Sequence, residues 1–148
     1  MKNRFMGQIS TVLNKLKKEK ELYYYLKIPE MLQYADAIGD YIVITNSFST
    51  LIIEAKSAKY GKLAIDNITG EKKKHQLQKH IDLNKSKNIR HLYLIKFGHG
   101  RHIEYSMTFD MEIILKERKH KSYLSADDFN IRFTDLYDGL ETLIDDST

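Results

Sequence analysis

Apolar residues recur every three to four positions through the first segment: Phe5 and Met6, Ile9, Val12 and Leu13, then Leu16. Lysines and Asn14 fill the opposite face, so the spacing predicts an amphipathic helix over roughly residues 5–20. The pattern turns β-like in ELYYYLKIPE, where Tyr23, Tyr24 and Tyr25 precede an Ile28 held extended by Pro29, the chain's one proline. Next, YIVIT (41–45) and the run at 50–56 flank NSFS (46–49), which predicts two strands joined as a hairpin. Residues 57–70 read as a loop. A polar helix follows over about 71–83, with Leu77, Ile81 and Leu83 as its buried edge. HLYLIKF (91–97) predicts a strand and GHG (98–100) a turn. Ile103, Tyr105, Met107, Phe109, Met111 and Ile113 then alternate with polar residues, the signature of one long strand over 103–113. Ser125 and Asp128 have the spacing of a helix N-cap and its reciprocal partner, and a last helix is expected over 135–144. This order of elements predicts a mixed α/β domain. No internal linker divides residues 1–148, so one domain is expected, ending in an acidic segment over about 122–148.

Composition removes several classes of function. With no cysteine, disulfides and thiolate metal sites are excluded, and a reducing interior is the expected setting. The N-terminus lacks the apolar core of a signal peptide and no stretch reaches membrane-spanning length, which predicts a cytoplasmic protein. The six histidines show no ligand spacing, so zinc is not expected.

Charge sharpens the picture. The net charge is only +4, but residues 1–27 carry +5, 56–101 carry +9 and 122–148 carry −6. A basic middle beside an acidic end suggests a face that binds a polyanion. If about six of those central basic residues met phosphates, log affinity would fall with log salt with a slope of roughly −5.

Candidate chemistry lies in LIIEAKSAKYGK (51–62). Glu54 and Lys56 are two apart and share one face of an extended chain. Alone, the pair reads as a strand running into solvent. Upstream, YADAIGDYIVI places Asp36 and Asp40 just before the hairpin that leads to Glu54. Two carboxylates drawn together repel unless a cation sits between them. Hard oxygen ligands favour Mg²⁺, which leaves positions open for a phosphate and can activate water toward it. A lysine on the same face can stabilise the charge that develops on the phosphate.

Three ordered segments carry a family likeness: DAIGDY (36–41), IIEAKSAK (52–59) and NITGEKKKHQ (67–76). Together they resemble the PD-(D/E)xK nuclease superfamily, specifically the RecU-type Holliday junction resolvases and their phage relatives. The likeness spans roughly residues 22–97, with a few extra residues before His75-Gln76. It implies a restriction-endonuclease-like fold, a mixed central sheet flanked by helices. By the same resemblance Asp36, Glu54 and the carbonyl of Ala55 would hold Mg²⁺, with Mn²⁺ as a substitute. Lys56 would be the catalytic lysine, and Gln76 would position water or the substrate backbone. Asp40 is the rival to Asp36, which is preferred because the family's glycine follows its aspartate by three, as Gly39 follows Asp36. The chain departs from the family at its first helix, where many relatives carry a glutamate. Here Met6 and Gln8 follow Phe5, and Glu19 and Glu21 lie only at the helix end.

The function implied is hydrolysis of phosphodiesters in four-way DNA, in recombination or repair, by a homodimer making two symmetric cuts. Lys59, Lys62, Lys72, Lys73, Lys74, Lys79 and Arg101 would line the DNA track. Two alternatives keep the fold: a nuclease acting on ends, flaps or single strands, or a DNA-binding relative without activity.

Overall fold

In the computed structural model, residues 2–29 and 38–147 are described. Helix α1 (Lys2–Lys18) buries Phe5, Met6, Ile9, Leu13 and Leu16 along a single stripe, as its periodicity requires. The strands β1 (Tyr24–Lys27), β2 (Tyr41–Ile44) and β3 (Thr50–Ala58) form an antiparallel meander. β2 and β3 make the expected hairpin, with Tyr41 opposite Ile53 and Ile44 opposite Thr50. The tyrosine run meets both environments: Tyr23 and Tyr24 are exposed, while Tyr25 is half-buried and donates its hydroxyl proton to Asn14 at 2.6 Å.

The segment expected to be a loop over 57–70 contains more. β3 continues to Ala58, a short β4 (Leu63–Ala64) follows, and α2 (Asp66–Thr69) makes one turn. Helix α3 (Lys74–Leu83) then leads to β5 (Ile89–His99), which lies parallel to β3. The buried residue of α3 is His80, whereas Leu77, Ile81 and Leu83 are only half-buried. The alternating stretch is not one strand either. β6 (His102–Thr108) ends before Asp110, and Met111 and Ile113 belong to helix α4 (Met111–Glu117). There Met111 and Ile114, three apart, face inward and Ile113 is exposed.

Residues 122–147 are built into the sheet rather than appended to it. β7 (Tyr123–Leu124) pairs with β4, and Ser125 and Asp128 form the reciprocal cap, here around a 3₁₀ turn. β8 (Ile131–Phe133) closes one edge of the main sheet, and α5 (Leu136–Asp146) packs Leu136, Leu140, Leu143 and Ile144 into the core. The protein is thus α/β, with a six-stranded mixed sheet in the order β1-β2-β3-β5-β6-β8 and helices on its faces. No helix among the described residues is long and apolar enough to cross a membrane.

The sheet separates two apolar clusters. Leu51, Ile53 and Ala55 of β3 join α1 and α5 on one side, and Ala58 joins Tyr93, Ile95, Phe97, Met111 and Leu124 on the other. Strand alternation therefore assigns Glu54 and Lys56 to the second side, the side of α3.

Candidate functional site

The β2–β3 hairpin builds the site. Asp40, the residue just before β2, is tied to Ile53 and Ala55, the two neighbours of Glu54 on β3. Asp40 is held there by three bonds. Its N–H donates to Ile53 O at 2.8 Å, its C=O accepts from Ile28 N–H at 2.9 Å, and its Oδ2 accepts from Ala55 N–H at 2.8 Å. Gly39 lets the chain come this close, since a Cβ there would lie 2.7 Å from the Ile52 side chain and 3.1 Å from Ile53 O.

Glu54 and Lys56 are not a strand end in water: both are buried, at 3% and 6% exposure, with Lys56 Nζ 3.6 Å from Glu54 Oε1. Gln76, on α3, brings its Oε1 to 3.4 Å from Lys56 Nζ, a long hydrogen bond. Glu54, Lys56 and Gln76 are therefore brought together, with Asp40 beside them at 1% exposure. Asp36, the preferred ligand of the sequence reading, lies outside the described residues. Among the described residues no three His, Asp or Glu side chains converge as a ready metal cluster.

Chemically, Asp40 and Glu54 offer oxygen donors only, the set that suits Mg²⁺. On donor chemistry the residues present fit a divalent ion. Beside Glu54 on β5 stands Tyr93, whose buried hydroxyl has no hydrogen-bond partner among the described residues. Burial, and then the charge of Glu54, push the ionisation of that hydroxyl upward, so it stays a neutral donor facing the acid.

The first-helix acids do not complete this site. α1 packs on the opposite face of the sheet, where Glu19 accepts a hydrogen bond from the Tyr137 hydroxyl of α5. Desolvation, and then the charges of Asp145 and Glu141, raise the pKa of Glu21. Gln8, the polar residue after Met6, accepts from Lys96 Nζ at 3.1 Å.

A hydrogen-bond chain that sequence reading missed supports the loop carrying Asp40. Met111 N–H donates to His80 Nε2 at 3.2 Å, which leaves the proton of neutral His80 on Nδ1. That proton points at His91 Nδ1, 2.8 Å away, and His91 Nε2–H in turn meets Ile38 O at 2.9 Å. Each bond fixes the tautomer of the next ring. Burial holds both imidazoles neutral, with His80 lowered to about 3 and His91 to about 4. In the sequence these two histidines lie eleven apart, on different elements, and carry no local signal.

Asn84 braces the same region. Its Nδ2 reaches the carbonyls of His91 and Phe109 at 2.9 Å and of His80 at 3.0 Å, and its Oδ1 accepts from His91 N–H at 2.9 Å. Asn84→Ala is expected to cost about 2–3 kcal/mol by orphaning these groups. Asn84→Asp keeps the acceptor but aims a carboxylate at three carbonyls, and should be no more stable than the alanine. Urea unfolding checks both, and an Asn84→Asp protein as stable as wild type would show that the donor side is idle.

The basic residues divide. Lys59, Lys62 and Arg101 are exposed around the carboxyl ends of β3 and β5, where Lys62 Nζ lies 4.6 Å from the ring centre of Tyr123. Lys72 and Lys74 are exposed before and at the start of α3, with Lys74 paired to Glu71 at 3.0 Å, a solvated contact of little energetic weight. Lys73 and Lys79 are half-buried. No protein-family model matches this chain, and no curated protein matches it.

Proposed function

We propose that the protein is a Mg²⁺-dependent endonuclease for branched DNA, a Holliday junction resolvase of the PD-(D/E)xK type working as a homodimer. The observation that carries this reading is the buried set around β3, with Asp40 bonded to Ala55 next to Glu54, and Lys56 held between Glu54 and Gln76. A mixed sheet flanked by helices is compatible with the restriction-endonuclease-like fold that the motifs imply.

A bound Mg²⁺ would supply Lewis-acid polarisation of the phosphoryl oxygen and a more acidic water. Asp40, together with Glu54, would hold it; Ala55 N–H keeps Asp40 Oδ2 in place, so the acid is oriented before the ion arrives. Lys56 projects from the same strand face as Glu54, and its ammonium would stabilise charge building on the phosphate. Gln76 fixes where that ammonium points. Water adds to phosphorus, and the bond to the leaving sugar oxygen breaks, with a proton passing to that oxygen.

The test is cleavage of a synthetic four-way junction with Mg²⁺, beside linear duplex, flap and single-stranded DNA. Glu54→Gln, Lys56→Met and Asp40→Asn are each expected to lower the rate by at least about 100-fold while leaving junction binding intact. Asp36→Asn decides whether the second upstream acid takes part. Unchanged cleavage in every variant would sink the nuclease assignment. Linear duplex cut as fast as the junction would remove the resolvase reading and leave a general nuclease.

A further inference from the structure

Immediately beyond Lys56 the chain makes a tight turn, closed by Gly61 N–H donating to Ala58 O at 3.0 Å, with Gly61 at φ +77°. This turn holds Tyr60 at 80% exposure. Few structural reasons account for an aromatic ring there. Among the described residues its ring neighbours are the His99 ring, edge-on with centres 6.2 Å apart, and Lys59 Nζ, 5.5 Å from its centre. Because Ala58 pairs with Phe97, the turn sits beside the β5–β6 connection that carries His99 and Arg101. Pairing of β4 with β7 adds Tyr123, itself 40% exposed, under Lys62. Residues 55–65 and 97–103, which form this end of the sheet, contain no acid.

An exposed ring framed by cations matches the way proteins take hold of unpaired nucleotides: the ring stacks on a base, and the cations follow the backbone. We propose that Tyr60 stacks on an unpaired base of single-stranded or branched DNA, with Lys59, Lys62 and Arg101 on the adjoining phosphates. This rests on the nuclease reading for its purpose, since it would register the strand relative to Glu54. Tyr60 follows Glu54 by six residues, at most roughly 20 Å of strand, which is about six base-pair steps of duplex. The scissile phosphate should accordingly fall within that distance of the unpaired nucleotide.

Binding of labelled oligothymidylate, linear duplex and a four-way junction is measured in chelator, where no cleavage occurs. Tyr60→Ala should weaken oligothymidylate binding about 5- to 100-fold and leave duplex binding unchanged, whereas Tyr60→Phe should match wild type. Lys59→Gln and Lys62→Gln should weaken all three substrates and flatten the salt slope by about 1 each. An indifferent Tyr60→Ala, an equal loss on duplex, or a Tyr60→Phe as weak as the alanine would each overturn the stacking proposal. A protein that cuts DNA but ignores Tyr60 defeats this inference alone. One that needs Tyr60 for single strands but never cuts defeats the nuclease reading alone.

Discussion

Acidification from about pH 7 to about pH 4.5 is expected to remove several kcal/mol of folding stability through two histidines alone. His80 and His91 are held neutral by burial, lowered to about 3 and about 4 from an ordinary 6.5. Between those values and 6.5 the unfolded chain takes up protons that the folded chain refuses. More protons on the unfolded state means that stability rises with pH, so it is lost as the pH falls. The slope approaches about 1.4 kcal/mol per pH unit for each ring. Over about two units, the pair accounts for a large part of the roughly 5–15 kcal/mol that holds a typical domain. Asp128 acts in the same direction but lower, since its bonds from Ser125 N–H, Arg118 and Lys121 depress its pKa below 3.8. Urea unfolding at about pH 7 and about pH 4.5 isolates the histidine window. The double variant His80→Gln/His91→Gln should start less stable and show a much flatter pH dependence. If its curve runs parallel to that of wild type, the pair is not the origin of the acid sensitivity.

The second large effect separates two jobs of Asp40. Its Oδ2 satisfies the buried N–H of Ala55, so Asp40→Ala should cost about 1–3 kcal/mol of stability by orphaning that donor. Asp40→Asn presents a carbonyl oxygen in the same place and should keep most of that stability. What asparagine lacks is charge. If Asp40 holds the metal, Mg²⁺ should raise the melting temperature of wild type by the usual linkage and do little for Asp40→Asn. Cleavage should fall in both variants, but only the alanine should unfold more easily. An Asp40→Asn protein that Mg²⁺ stabilises as much as wild type would move the metal away from Asp40.

Local patterns carried much of the fold. The stripe of α1 and the β2–β3 hairpin follow from short-range spacing, and so does the shared face of Glu54 and Lys56. What failed depended on distant partners. β4 is two residues long and exists because β7, some sixty residues later, pairs with it. The strand expected over 103–113 was an accident of alternation. Beyond Asp110, Met111 and Ile114 face the core at helical spacing, so the packing against Tyr93 and Phe97 decided the element. His80 was hidden for another reason: a polar residue on a polar helix gives no hint that a second histidine awaits it. That Asp40 would bond to Ala55 beside Glu54 was also beyond spacing alone, because the contact is a property of the paired strands.

The hairpin has a consequence for how the site tolerates evolution. Asp40 and the β3 stretch around Glu54 are brought together through a connection of five residues between Ile44 and Thr50, whereas β3 reaches its parallel neighbour β5 across thirty, from Ala58 to Ile89. Closing the longer connection costs only about 1.6 kcal/mol more in chain entropy, but the two carry different cargo. The acid pair is written into a local unit, while Gln76 rides on the long connection. Insertions between Gly70 and Lys73, after α2 and before α3, therefore lengthen the tether of Gln76 while the hairpin that carries the two carboxylates is left alone.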